Sequence, residues 1–234
     1  MANPYTLELL IAGALERADL LRTNPVTGAP EAVDSVDLGA VGYWVNAELA
    51  VLWDVLISTY EDYAIKHHTI NVVAGIEDYS MPDDFYKFRK VFPVSSGIRS
   101  PALRKFHLKD LGQADSLAAL LTSPIDETRY RISGNRLYLH PAPTNAAELE
   151  VWYVQQFDPI VNLQDKIDFR FPIGWEQYVI EGVAARCLEK EDIDSTPFKA
   201  RQKEILQRVL TMAEDRDVGE PHQMQDTEGY LDVY

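Results

Sequence analysis

The sequence predicts an α+β fold: a four-helix domain, two helices from each end of the chain, with a small antiparallel β domain inserted between them and an extended C-terminal tail. Three observations carry this. Apolar residues recur at three and four through residues 5–60 and again after Pro172, the period changes to two between about His68 and Gln155, and it is lost after Asp215. The expected boundaries are 1–66 for the N-terminal helices, 67–171 for the β domain, 172–216 for the C-terminal helices and 217–234 for the tail. A chain of 234 residues, 46% hydrophobic and 25% charged, has enough apolar surface to bury one or two cores.

In residues 5–22, Leu7, Leu10, Ile11, Ala14, Leu15, Ala18 and Leu21 fall on one face, and Thr6 is placed to cap the helix. Two prolines and a glycine make 23–35 a loop. Val41, Trp44, Val45, Leu49, Leu52, Trp53, Leu56 and Tyr60 then define a longer helix. Its apolar run from Leu38 to Ile57 contains Asn46, Glu48 and Asp54, whose cost in hydrocarbon argues for a core helix and against a membrane span. No charged and apolar leader opens the chain, and a single cysteine, Cys187, excludes an intrachain disulfide. A soluble protein in a reducing cytosol is expected.

Residues 69–82 read as two short strands around Ala74-Gly75, and 85–94 and 101–108 as two more. A short helix is expected over 110–121. The stretch RYRISGNRLYLHPAP, 129–143, is a hairpin. With Gly134-Asn135 as its loop, Ile132 faces Leu137, Tyr130 faces Leu139, Arg131 faces Tyr138 and Arg129 faces His140, which separates an apolar face from a polar one. A loop at Ser133-Gly134 would instead oppose Arg131 to Arg136. Pro141 and Pro143 end the second strand, and Leu149, Val151 and Tyr153 resume alternation in a third strand that completes a meander.

After Pro172, Trp175, Val179, Gly182, Val183 and Cys187 line one side of a helix reaching about Lys190. Thr196 as N-cap and Pro197 in the first turn open another, with Phe198, Gln202, Ile205, Leu206, Val209 and Ala213 on one side.

The net charge is −15, and it is unevenly placed. Residues 1–66 hold 10 acidic and 3 basic side chains and residues 214–234 hold 7 and 1, whereas residues 85–109 hold seven Lys or Arg and no acid. This balance disfavours direct nucleic-acid recognition by a free-standing domain. The basic run is either a solvated strand face or a contact surface for acidic neighbours or passing nucleic acid. Phe85, Tyr86, Phe88, Phe92 and Phe106 within it either stack on bases or pack in a β core. The acidic tail is either a solubilising end or a segment that orders on a partner through YLDVY.

No Gly-rich nucleotide loop, HExxH, GxSxG or calcium-loop pattern occurs. Cys187 reads as a buried structural thiol, His67-His68 as a helix-to-strand junction in place of a metal site, Asp83-Asp84 as turn residues, and EKEDIDS at 189–195 as a solvated turn between helices.

The order of these elements resembles the head-to-tail connector, or adaptor, proteins of tailed bacteriophages. The likeness rests on YSMPDDFYKFRKV (79–91), YRISGNRLYLHPAP (130–143), LEVWYV (149–154), FPIGWEQYVIEGVAARCLEKED (171–192) and an asparagine-containing second helix in WVNAELAVLWDVL (44–56). The resemblance implies a structural protein of the virion neck, assembled in the host cytoplasm, without catalysis, cofactor, metal or membrane. It implies a ring, usually of twelve copies, under the portal protein, followed by tail, stopper or nozzle proteins, through which double-stranded DNA passes without sequence recognition. On that reading Lys87, Arg89, Lys90, Arg99, Arg104, Lys105, Lys109, Arg129 and Arg131 are candidates for intersubunit or nucleic-acid contact, and Ile205, Val209, Tyr230, Leu231 and Tyr234 for contact with the portal. The alternatives are a carbohydrate- or peptide-binding β module, such as another tail or baseplate piece, and an enzyme with an unrecognised site.

Overall fold

Thr6 opens the first helix as the spacing predicts: its hydroxyl accepts from Leu9 N at 3.3 Å, and α1 runs Leu7–Arg17 with Leu7, Leu10, Ile11, Ala14 and Leu15 buried. It stops short of residue 22 because Asp19 adopts a left-handed φ of 58°, and Leu21–Thr23 becomes β1, paired antiparallel with β2 at Pro30–Ala32. These details come from a computed structural model, which describes residues 5–23, 30–33, 37–59, 64–95, 97–106, 125, 128–167 and 174–214. The expected helix at 110–121 and the tail at 217–234 lie outside those residues.

Among the described residues the fold is mixed α+β, with four helices and small antiparallel sheets. The second helix, α2, is Leu38–Thr59. It has the length and mean hydropathy of a membrane span, 22 residues at 1.3, yet Val41, Val45, Leu49, Leu52, Trp53, Leu56 and Ile57 are buried in the protein core. α3 is Glu176–Lys190 and α4 is Thr196–Glu214. Both α1 and α2 pack on α3, and α4 packs on α3 and α2. The cap of α4 falls one residue earlier than expected. Ser195 O accepts from Phe198 N and Lys199 N, while Asp194 Oδ1 takes Thr196 N at 3.0 Å.

The chain divides into two compact units, Met1–Tyr60 with Ile160–Tyr234, and Glu61–Pro159. The boundaries therefore stand at 60/61 and 159/160, and not at 66/67 and 171/172. On the near side, a strand, β3 (Ile65–Val72), already begins at Ile65. On the far side, residues 160–167 are stitched to the helices: Leu7 N donates to Asp165 O, Glu8 N to Leu163 O and Ile167 N to Tyr5 O.

In the β unit, β3 (Ile65–Val72), β9 (Ala147–Gln155), β5 (Phe85–Ser95) and β6 (Ile98–Arg99) form one sheet in that order. A second sheet runs β4 (Asp78–Ser80), β8 (Arg136–His140), β7 (Arg129–Ser133). The β7–β8 register is the expected one, from Ile132 opposite Leu137 to Arg129 opposite His140. The inner faces of the two sheets share a core of Ile70, Val72, Met81, Val91, Leu103, Leu137, Leu139, Leu149 and Val151, with Phe88 against Tyr130 at 4.8 Å between ring centres.

Two expectations fail. The hairpin does not continue into a meander, because β9 is the centre of the other sheet, between β3 and β5. Pro141 and Pro143 have no N–H to extend the β8 ladder, and Pro143 O accepts from Gly75 N at 2.8 Å. Residues 101–106 do not form a strand. They pass from β5, where Leu103 N bonds Val91 O, to β7, where Arg104 O takes Tyr130 N and Phe106 N bonds Tyr130 O.

Candidate functional site

A strand of period two presents alternate residues to opposite faces, so Glu148, Glu150 and Trp152 of β9 lie on the face opposite Leu149, Val151 and Tyr153. The register sets His67 and Lys90 on either side of Trp152, and Thr69 and Phe92 on either side of Glu150. The result is a groove of about 830 Å³ lined by Ile65, Phe88, Arg89, Lys90, Phe92, Arg99 and Trp152. Arg99 organises it: its Nε and Nη2 meet Glu150 Oε2 and Oε1 at 2.5 and 2.8 Å, and its guanidinium lies 5.2 Å from the centre of the Trp152 ring. Hydrogen bonding to Arg99 holds the Glu150 carboxyl below the usual range, against the opposing effect of burial. His67 stacks on the other flank of Trp152 at 5.9 Å. This is an aromatic and cationic surface without the donor set of a metal site, and among the described residues no group of three His, Cys, Asp or Glu could hold an ion.

The basic run is thus divided. Lys87, Arg89, Lys90 and Arg99 belong to the outer face of the β3-β9-β5-β6 sheet. Arg104 and Lys105 are exposed beside β7, next to exposed Arg129 and half-buried Arg131. On this second surface a hollow of about 330 Å³ collects Glu77, Phe106, Arg131, Ser133, Tyr138 and His140, with Phe106 and His140 at 5.6 Å. Lys109 lies outside the described residues. The aromatics of the run divide as well: Phe85 and Phe88 pack against the core and Phe106 is buried, while Phe92 lines the groove and Tyr86 is exposed.

Asp83-Asp84 is a turn, as expected, with more structure than a turn requires. Asp84 accepts from Lys66 at 2.9 Å and from the Tyr153 hydroxyl at 2.8 Å. Burial alone would raise the Asp84 carboxyl, but these two donors lower it. Burial and the same carboxylate push Tyr153 up to about 12.

The helical unit has charges inside it. Glu48 is buried between Arg186, at 2.7 Å, and Gln202, at 2.8 Å; Glu181 is buried and meets Arg17 at 2.9 Å and Arg201 at 3.3 Å. Glu189 binds both Ser195 and Lys199, so the 189–195 turn is held by its carboxylates. Cys187 is buried, and burial drives its thiol up to about 11, the setting of an inert core residue. Of the candidates for portal contact, Ile205 is half-buried, Val209 is fully buried with no surface to offer, and Tyr230, Leu231 and Tyr234 lie outside the described residues.

Sequence reasoning missed Trp152, Glu150 and His67 as a unit. The alternation that assigns Leu149, Val151 and Tyr153 to the core also assigns Glu150 and Trp152 to the opposite face, and that was the available signal. For Glu48 and Glu181 there was none, because their partners are remote in sequence.

With both units described, comparison with known proteins adds one match. The family model described as SU10 adaptor protein covers residues 10–225, thus both helical segments and the whole β unit between them. No curated protein matches the chain.

Proposed function

The chain belongs to the SU10 adaptor protein family, a family of phage head-to-tail adaptors, and from that premise we propose that it forms a ring under the portal, a structural part without catalysis that extends the DNA channel and offers the platform to which tail proteins attach. The observation that carries the reading is the extent of the match, which spans both units. In this reading the four helices act as one domain interrupted by the β unit, the ring has twelve copies, it is built in the host cytoplasm, and its place is the virion neck.

The charge distribution supports the same reading. Exposed carboxylates of the N-terminal segment, Glu8, Glu16, Asp19, Asp37 and Asp54, suit a wall that repels phosphate and lets DNA pass without sticking. Glu48 is not among them, since Arg186 neutralises it inside the helical unit. The two basic surfaces of the β unit are then intersubunit contacts, and the C-terminal helix and tail face the portal.

Mixing the purified protein with its cognate portal, followed by size-exclusion chromatography and electron microscopy, tests this. A ring added beneath the portal is expected. Lack of association across a range of salt would overturn the adaptor role and turn attention to the Trp152 groove as a ligand site. A ring with Lys87 and Lys90 lining its bore would reverse the assignment of surfaces.

A further inference from the structure

The turn that follows β3 is an apolar knob on the β unit. Residues 73–77, VAGIE, are exposed in succession, with Val73 52% and Ile76 45% accessible. The knob is fixed in place. Gly75 takes a left-handed φ of 78° and its N–H donates to Pro143 O at 2.8 Å, while Ile76 N donates to Val73 O at 3.2 Å. The Tyr79 hydroxyl accepts from Val73 N at 2.9 Å and lies 3.1 Å from the carbonyl oxygens of Val73 and Ile76. A turn held in this way loses little freedom on binding. Two exposed acids stand at the same end of the sheet, Glu77 and, opposite Asn71, Glu148; neither has an ion pair among the described residues.

The groove around Trp152 has the complementary character. Ile65, Phe92 and Trp152 give it apolar walls, and Arg89, Lys90 and Arg99 give it charge. A register shift in β5 leaves Arg89 as an extra residue between Phe88 and Lys90. Bulges of this kind re-aim a side chain, and here two successive cations border the groove. Arg99 is answered by Glu150, whereas exposed Lys87 and Lys90 have no acidic partner among the described residues.

We propose that the occupant of this groove is a second copy of the chain, whose 73–77 knob seats in it. Val73 and Ile76 enter between Ile65, Phe92 and Trp152, and Glu77 and Glu148 meet Lys90 and Lys87. Apolar surface then covers apolar surface, and the charges at the rim are opposite in sign. Knob and groove are different surfaces of one compact unit, so a copy that has inserted its knob still offers its groove. Such a heterologous contact repeats head to tail and makes a ring where the rotation closes, whereas a self-complementary face stops at a dimer. A nucleic-acid strand would answer the cations of the groove but would leave the knob uncovered, and it would be repelled by a chain of net charge −15.

The contact rests on the ring reading and names the partner surfaces within it. Its test is a charge exchange, read as the protein concentration at which half of the cognate portals carry a ring in electron micrographs. Glu77→Lys alone and Lys90→Glu alone should each raise that concentration about tenfold, by setting like charges against each other, and the two together should restore it. A Val73→Ser, Ile76→Ser variant, which empties the groove without changing charge, should raise it by about as much. All four positions are exposed, and the melting temperature of each isolated variant reports that the fold is kept. If the wild-type chain builds no ring, the ring reading falls and the contact with it. If wild-type rings form and the serine variant assembles equally well, or the exchanged pair assembles no better than the single reversals, the contact alone is overturned.

Discussion

The Asn46 side chain closes both backbone groups of Ile160: Nδ2 donates to the carbonyl at 3.0 Å and Oδ1 accepts from the amide at 2.8 Å. Ile160 is where the chain re-enters the helical unit, so one side chain of α2 fixes the return from the inserted β unit. Asn46→Ala leaves both groups without their partner. With a net value of about 1 kcal/mol for each bond and an added penalty for orphaned buried groups, the expected loss is about 2–3 kcal/mol in urea denaturation. A change below about 0.5 kcal/mol would show that water replaces the clamp.

Gly182 gives a prediction of unexpected sign. In the middle of a helix, Gly→Ala ordinarily stabilises by about 1 kcal/mol. Here a Cβ would press on the Gln202 amide and stand 2.8 Å from the Glu48 carboxylate, which is buried and held by Arg186. Displacing a paired, buried carboxylate outweighs helix propensity. Gly182→Ala should therefore lower stability by about 1–3 kcal/mol, and a higher melting temperature would refute this account of the site.

The two residues also show what the sequence makes legible. The helices and the β7–β8 register follow from local periodicity and one Gly-Asn turn, where each residue's neighbours are close in sequence. The Asn46–Ile160 clamp spans 114 positions, and Gly182 is small because of Glu48 and Gln202, which no local pattern connects to it. The same limit explains the failed meander: alternation in Leu149, Val151 and Tyr153 shows that β9 has an inner face, but two stacked sheets offer that face equally and only long-range pairing chooses between them. The basic run was legible as charge. Its division between two surfaces was not, because residues 101–106 cross from one sheet to the other.

Arg129 and Arg131 test the proposed intersubunit role of the hairpin. Both project from the polar face of β7, opposite His140 and Tyr138, and neither has an ion-pair partner among the described residues. Replacing both with Glu should leave the isolated protein folded, with a small loss at most from exposed Arg129, within about 0.5 kcal/mol, and a somewhat larger one from half-buried Arg131. Ring formation on the portal should fall sharply, because charge reversal sets like against like across a contact. Normal rings from the double variant would remove this face from the interface.

The Arg99–Glu150 pair predicts how the β unit responds to acid. Hydrogen bonding to Arg99 holds the folded carboxyl below its ordinary range, and the unfolded value is about 4.3. A carboxyl lowered by folding contributes stability that is complete above the unfolded value and is lost as pH falls through the folded one. Thermal melting should therefore be insensitive to Glu150 near neutrality and decline below about pH 4. Glu150→Gln cannot lose a proton, so its melting curve should start lower at pH 7 and fall less steeply in acid, converging on the wild type. Asp84, lowered by Lys66 and Tyr153 against burial, titrates in the same direction, so part of the acid limb should survive in the variant and shrink further when Asp84→Asn is added. Parallel curves for wild type and Glu150→Gln from neutral to acid pH would mean that solvent screens the pair at the sheet surface, and that stacking on Trp152 alone holds Arg99 in place.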